Sequence, residues 1–241
     1  MTVHRIDCPS GWLLRSACLV ALLVGTLPAF GVDEIRIVET RNIPVERAPT
    51  EATHELRLSL YAFRGTRWSS QEILVALPEG AGLLGQCGVA LSRAELHVVE
   101  APSRFRYYHT PVSHELLRQL RVSRPALFFV DDTLNNPAFD AEAIGRENAV
   151  TQPELADTVW IAHDARDLPQ TIAHELVHVL SNDGAHSNEP GNLMRATTSR
   201  RNTRLTEAQC ARLRSRGEAN GLLAARPRAS REEWGARSGD R

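Results

Sequence analysis

Lysine is absent from this 241-residue chain, so arginine supplies all 28 of its Lys/Arg cations. These are scattered and matched by 29 carboxylates, giving a net charge of −1. That balance leaves no electrostatic case for a nucleic-acid or anionic-membrane partner. The lysine-free composition reads as genome bias rather than phosphate chemistry. Long hydrophobic runs are also scarce. Residues 17–27 form the one extended apolar stretch, too short for a comfortable membrane span. No internal repeat is present, which excludes solenoids and propellers. Cysteine is sparse, at four residues.

What is there begins with a leader. His4, Arg5 and Arg15 lead into the apolar run, and Pro28-Ala29-Phe30-Gly31 follows it with small residues at alternate positions. Residues 1–31 read as a secretory signal peptide cleaved after Gly31, with an uncleaved anchor as the competing reading. The expected product is soluble and secreted or periplasmic, with no membrane attachment after cleavage. Cys8 and Cys18 leave with the leader. Cys87 and Cys210 remain, and one pair in an exported protein points to a disulfide between the end of an early helix and a C-terminal helix. Two free buried thiols are the alternative.

The stretch that carries chemistry is Thr171-Ile172-Ala173-His174-Glu175-Leu176-Val177-His178-Val179-Leu180. On an α-helix His174 and His178 project from one face, with Cβ atoms about 5–6 Å apart. Two ring nitrogens can then reach one zinc ion at about 2.0–2.1 Å each. Glu175 lies about 100° round the helix, poorly placed as a ligand. It can instead accept a proton from a water held on the metal. Ile172, Leu176, Val179 and Leu180 cover the other side for packing. His-Glu-Leu also occurs at His54 and His114, but Leu58 and Arg118 stand where a second histidine is needed.

Asn182, Asp183 and Gly184 stop the helix and reverse the chain, returning His186 towards the metal. A catalytic zinc takes three protein ligands and keeps one position for water. His174, His178 and His186 supply that count, with Asp183 and Glu189 competing for the third place. Pro190-Gly191-Asn192-Leu193-Met194 reads as a tight turn that sets the apolar Met194 beneath the site.

In these residues the chain resembles the metzincin superfamily of zinc metallopeptidases, whose pattern is H-E-x-x-H-x-x-G-x-x-H followed by a methionine-containing turn. Ser181 stands at the family glycine and Gly184 at the third histidine, so His186 arrives two residues late on a lengthened loop. A tyrosine that some members carry two residues after the methionine is Ala196 here. The resemblance implies one catalytic Zn2+, a peptide or protein substrate and Glu175 as general base. It also implies an α+β fold: a twisted, mostly parallel sheet with a long helix and an active-site helix, plus a small C-terminal lobe. Gln86-Cys87-Gly88-Val89 superficially resembles the cysteine latch of some metzincin pro-segments, but Cys87 lies between an apolar helix and an apolar strand, which reads as core.

The order of elements fits that expectation. Residues 32–54 are an extended arm or pro-segment, with a short strand pattern at Ile35-Arg36-Ile37-Val38. Residues 55–225 form the metallopeptidase-like domain, its upper lobe running to about residue 182 and its lower lobe following. Residues 56–63 alternate as a half-buried strand. Ser69 caps a helix reaching about Cys87, with Glu72 reciprocating and a disturbance at Pro78. Strands follow at 89–91 and 94–99, then a helix capped by Ser113 and running to about Leu120. Residues 126–130 are a buried strand. Residues 131–156 form a long loop rimming the cleft, with a short edge strand. Residues 157–162 are the last strand. Asp167 caps the metal helix, with Gln170 reciprocating and Pro169 in the first turn. A helix opens at Thr206-Glu207 and ends near Gly217. Residues 226–241, with an unexplained Trp234, read as a disordered tail.

The mechanism this implies is peptide hydrolysis, with Tyr107, Tyr108, His163 and Arg195 as candidates for a second oxyanion donor. Two rivals stand beside it. One is a non-catalytic exported zinc-binding module, which has no use for Glu175. The other is a zinc amidase on a non-peptide substrate, chemically identical at the metal.

Overall fold

Alternating strand sequences give one sheet two apolar faces. In β2 (His54–Phe63), β5 (Ala126–Val130) and β8 (Thr158–Ala162), Leu60, Ala62, Leu127, Phe129, Val159 and Ile161 join one buried cluster. Tyr61, Phe63, Phe128, Val130 and Trp160, at the intervening positions, join the other. This is the period of two that an extended chain imposes.

The structure, a computed structural model, describes residues 34–45 and 51–226. The signal peptide expected over 1–31 lies outside the described residues, as do the tail beyond Arg226 and Trp234. The sheet order is β1-β3-β2-β5-β8-β7. Its four central strands, β3 (Val89–Glu100), β2, β5 and β8, are parallel. The edges are antiparallel: β1 (Arg36–Ile43) on β3, and β7 (Ala141–Ile144) on β8. The mostly parallel sheet expected from the sequence is thus observed. The strand pattern at residues 35–38 lengthens to an eight-residue strand, and the patterns at 89–91 and 94–99 fuse into one. In the register between β2 and β3, Leu56 opposes Leu91 and Arg57 opposes Arg93, so Ser92 is a bulge.

On one face lie α1 (Ser70–Leu83) and α3 (Leu168–Ser181). The Ser69 cap forms as expected: its hydroxyl accepts from Glu72 N at 3.2 Å, and the Glu72 carboxylate accepts from Ser69 N at 2.9 Å. A short 3-10 turn then carries the chain to Cys87. Helix α1 crosses α3 at Gly80, where a Cβ would meet the Pro169 carbonyl at 2.6 Å and Ile172 Cβ at 3.2 Å. No side chain fits there.

On the other face an aromatic ladder crosses the sheet in register. His97, Tyr61, Phe128 and Trp160 sit opposite one another on β3, β2, β5 and β8. Their ring centroids are 4.9, 4.8 and 4.3 Å apart. Such pairs contribute about 0.5–1.5 kcal/mol each beyond area burial. Tyr108 of β4 (Tyr107–Tyr108) packs on the Trp160 end, and β4 pairs with β6 (Asp132–Thr133).

Two caps differ from expectation. Helix α2 spans Thr110–Gln119, with Pro111 in its first turn, so it begins ahead of Ser113. The Ser113 hydroxyl accepts from His109 N from inside the helix. Asp167 precedes α3 with φ at 49° and makes no side-chain cap. Its carboxylate accepts from Arg200 N and Nε instead, at 3.2 and 3.0 Å.

After α3 the chain forms two irregular turns, then α4 (Glu207–Ala219) with a Thr206–Gln209 capping box, and β9 (Leu223–Ala225) on β2. The Cys87–Cys210 disulfide is present and joins the end of the first helical segment to α4. No helix among the described residues is long and apolar enough to cross a membrane.

Candidate metal centre

Helix α3 is buried from Gln170 to Ser181, so its polar residues must be paired or aimed into a cavity. Its C-terminus turns at Asn182, the first of the three expected stop residues, in left-handed backbone at φ 48°. The Asp183 amide then closes onto the His178 carbonyl at 3.2 Å. This reversal brings His186 back over the helix. Its ring centroid lies 5.3 Å from that of His174 and 5.0 Å from that of His178. One ligand atom from each of the three lies within 4.8 Å of the others.

The outer nitrogen of each helical histidine is anchored. His174 Nδ1 lies 2.8 Å from the Leu193 carbonyl, and His178 Nδ1 lies 2.6 Å from the Asp183 carbonyl. A carbonyl only accepts, so each Nδ1 carries the proton and each Nε2 presents a lone pair. Those two Nε2 atoms face each other at 3.0 Å. Two lone pairs at that distance repel unless a cation lies between them. Nitrogens sharing a tetrahedral ion at about 2.0–2.1 Å sit about 3.3 Å apart. The residues therefore fit a metal ion with imidazole preference.

Neither competitor for the third position joins them. The Asp183 carboxylate is engaged by the Ala185 amide at 3.0 Å and by Arg212. Glu189 lies outside the cluster, which among the described residues holds the three histidines and no fourth ligand.

Glu175 is buried beside them and lines the same cleft, of about 830 Å3. Burial pushes its carboxyl up to about 8; the Glu142 charge adds to that and an Ala143 backbone hydrogen bond opposes it. Burial pulls His174 down to about 4, with His178 and His186 acting the same way and the Leu193 carbonyl opposing. His178 is lowered for the same first reason. One wall of the cleft is the edge strand β7 with the loop after it, from the long segment expected to rim the site.

Met194 is buried in the core beyond the turn. The turn depends on Gly191, at φ 76°, where a Cβ would also meet the Arg204 guanidinium at 2.9 Å. Asn192 fixes it, its Oδ1 accepting from Met194 N at 2.8 Å.

None of the four side chains considered as a second oxyanion donor lines the cleft. Tyr108 is buried against Trp160, Tyr107 lies beside it in β4, His163 packs on Trp68, and Arg195 donates to the Asn188 carbonyl. Arg166, Thr171 and Thr197, which sequence reasoning passed over, do line it. The anchoring carbonyls of Leu193 and Asp183 were equally silent, because every residue carries one.

Neither a family model nor a curated protein matches the sequence. Among solved structures the chain is similar to metalloproteinase-II from Bacteroides fragilis, at 16% identity and TM-score 0.49, over 73% of this chain. It spans only 57% of that protein's length. It is also similar to archaemetzincin from Methanopyrus kandleri, at 15% identity and TM-score 0.44, over 68% of this chain and 96% of that one.

Proposed function

We propose that this chain is a zinc-dependent metallopeptidase, exported, with His174, His178 and His186 holding one catalytic ion. The observation that carries the reading is the pair of anchored imidazoles whose Nε2 lone pairs converge at 3.0 Å, with a third imidazole alongside. When bound, zinc supplies Lewis acidity and lowers the pKa of a coordinated water to about 7.

The chain's own residues do the rest. Glu175, on the helix between the ligands, takes a proton from water in the cleft as that water's oxygen bonds to the scissile carbonyl carbon. The protonated carboxyl then delivers that proton to the amide nitrogen as the C–N bond breaks, so the leaving group departs as a neutral amine. Among the described residues strand β7 ends the sheet, and its outer backbone edge can pair with an extended peptide. A non-catalytic zinc module would have no use for a buried carboxylate beside its ligands. The Asp183 carboxylate, which could have closed such a site, is turned to Arg212. The disulfide supports an oxidising compartment.

Metal analysis with a degenerate peptide-library digest tests this. Wild-type protein should carry one zinc and cleave peptides, and Glu175→Gln should keep the zinc and lose nearly all cleavage. Full activity in Glu175→Gln would refute the assigned base. A zinc-loaded wild type inert on every peptide would refute the peptidase reading in favour of another amide substrate.

A further inference from the structure

Helix α4 lies outside the cleft, yet it reaches both turns that hold the helical histidines. Gln209 closes the α4 capping box by accepting from Thr206 N at 2.8 Å. The same side chain accepts from Asn192 Nδ2 at 3.0 Å and donates to Asn192 Oδ1 at 3.3 Å. Asn192 is buried, and its Oδ1 also takes the Met194 amide. The Leu193 carbonyl is thereby fixed against His174. Three residues along the same face, Arg212 pairs with the Asp183 carboxylate. The Asp183 carbonyl in turn holds His178. Between them Cys210 pins α4 through its disulfide, and Leu213, the residue after Arg212, is fully buried.

We propose that Gln209 and Arg212 are positioning residues for the metal centre, orienting His174 and His178 through Asn192–Leu193 and through Asp183. This rests on the reading above that those histidines hold zinc. Neither residue lines the cleft, so neither touches substrate. Their effect passes through ring orientation: a ligand imidazole whose outer N–H loses its fixed acceptor binds metal about 10–100-fold more weakly.

Arg212 gives the sharper test. Its side chain is 58% exposed, and an exposed ion pair adds little to global stability. Removing a cation beside the Asp183 carboxylate would, by charge alone, favour zinc. Positioning therefore has the opposite sign from simple electrostatics.

The experiment measures zinc affinity by chelator competition, and the visible spectrum of the cobalt-substituted full chain, for wild type, Arg212→Met, Arg212→Lys and Gln209→Glu. Arg212→Met should bind zinc about 10–100-fold more weakly, with an altered cobalt spectrum and an unchanged melting temperature of the metal-free protein. Arg212→Lys should recover most of the loss. Gln209→Glu keeps the capping acceptor but loses the donor to Asn192, and should weaken zinc similarly. Wild-type affinity and spectrum in both Arg212→Met and Gln209→Glu would overturn the proposal and leave the metallopeptidase reading intact. A wild type that binds no zinc would overturn both.

Discussion

Gln86 holds Leu205 as a neighbouring strand would: its Oε1 accepts the Leu205 amide at 2.8 Å, while its Nε2 donates to the Thr203 carbonyl at 2.8 Å. The segment it grips is the one that pairs with the methionine turn, where Arg204 offers its carbonyl to Leu193 N at 2.7 Å. The next residue after Gln86 is the disulfide cysteine. Two adjacent residues at the end of one helical segment thus hold the chain beyond the methionine turn, Gln86 by hydrogen bonds to residues 203 and 205 and Cys87 covalently to α4.

The covalent tie should be large in stability. It closes a loop across a sequence separation of 123 residues, which in the chain-entropy account stabilises by about 4–5 kcal/mol. Cys87→Ser with Cys210→Ser should lower the guanidinium midpoint accordingly, and reducing agent should do the same to wild type. A shift under about 0.5 kcal/mol in both would contradict this.

The third ligand can be assigned by substitution. His186 is exposed, so His186→Ala should leave the melting temperature of the metal-free protein almost unchanged. Its zinc affinity should fall at least ~100-fold, since a three-ligand site becomes a two-ligand one. Glu189→Ala should bind zinc as wild type does. Equilibrium dialysis of the two variants decides, and the reverse pattern would move the ligand to Glu189.

The metal-free protein should lose stability as pH rises above neutral. Glu175 keeps its proton to about 8 when folded and releases it near 4.5 when unfolded, so its contribution fades as pH climbs through that window. His174 acts oppositely: depressed from 6.5 to about 4, it contributes fully above 6.5 and loses that as pH falls towards 4. Between 6.5 and 8 only the Glu175 effect of these two operates. Chelator-treated wild type should therefore be less stable at pH 8 than at 6.5 by up to about 2 kcal/mol. Glu175→Gln should flatten that interval. An equal slope in both proteins would show that another group is responsible.

Gly80→Ala should destabilise by about 1–3 kcal/mol, because the added methyl meets the Pro169 backbone, which cannot swing aside as a side chain would. Thermal melts read this directly. Gly82→Ala, two residues on with open space around it, is the control and should be neutral or stabilising.

Local chemistry was legible in the sequence, and partners remote in the chain were not. Ser69 and Glu72 were readable because a capping box lies within four residues. Asp167 looked like the same device, but Arg200, 33 residues away, takes its carboxylate. The spacing of His174 and His178 placed two imidazoles on one face, and their rings do converge. The strand β9 was missed because three residues with little alternation carry no period, and their pairing with β2 comes from tertiary contact. The α4 supports were invisible for the same reason: Gln209 and Arg212 act across 17 and 29 residues.

The rings of His174 and His178 are oriented by main-chain oxygens, not by carboxylate side chains. An oxygen of that kind is common to all twenty amino acids, so the side chains at positions 183 and 193 bear on the acceptor only through the path of the chain they help to hold. Relatives that share this device need not share its letters, and conserved backbone trajectory would be the trace by which they are known.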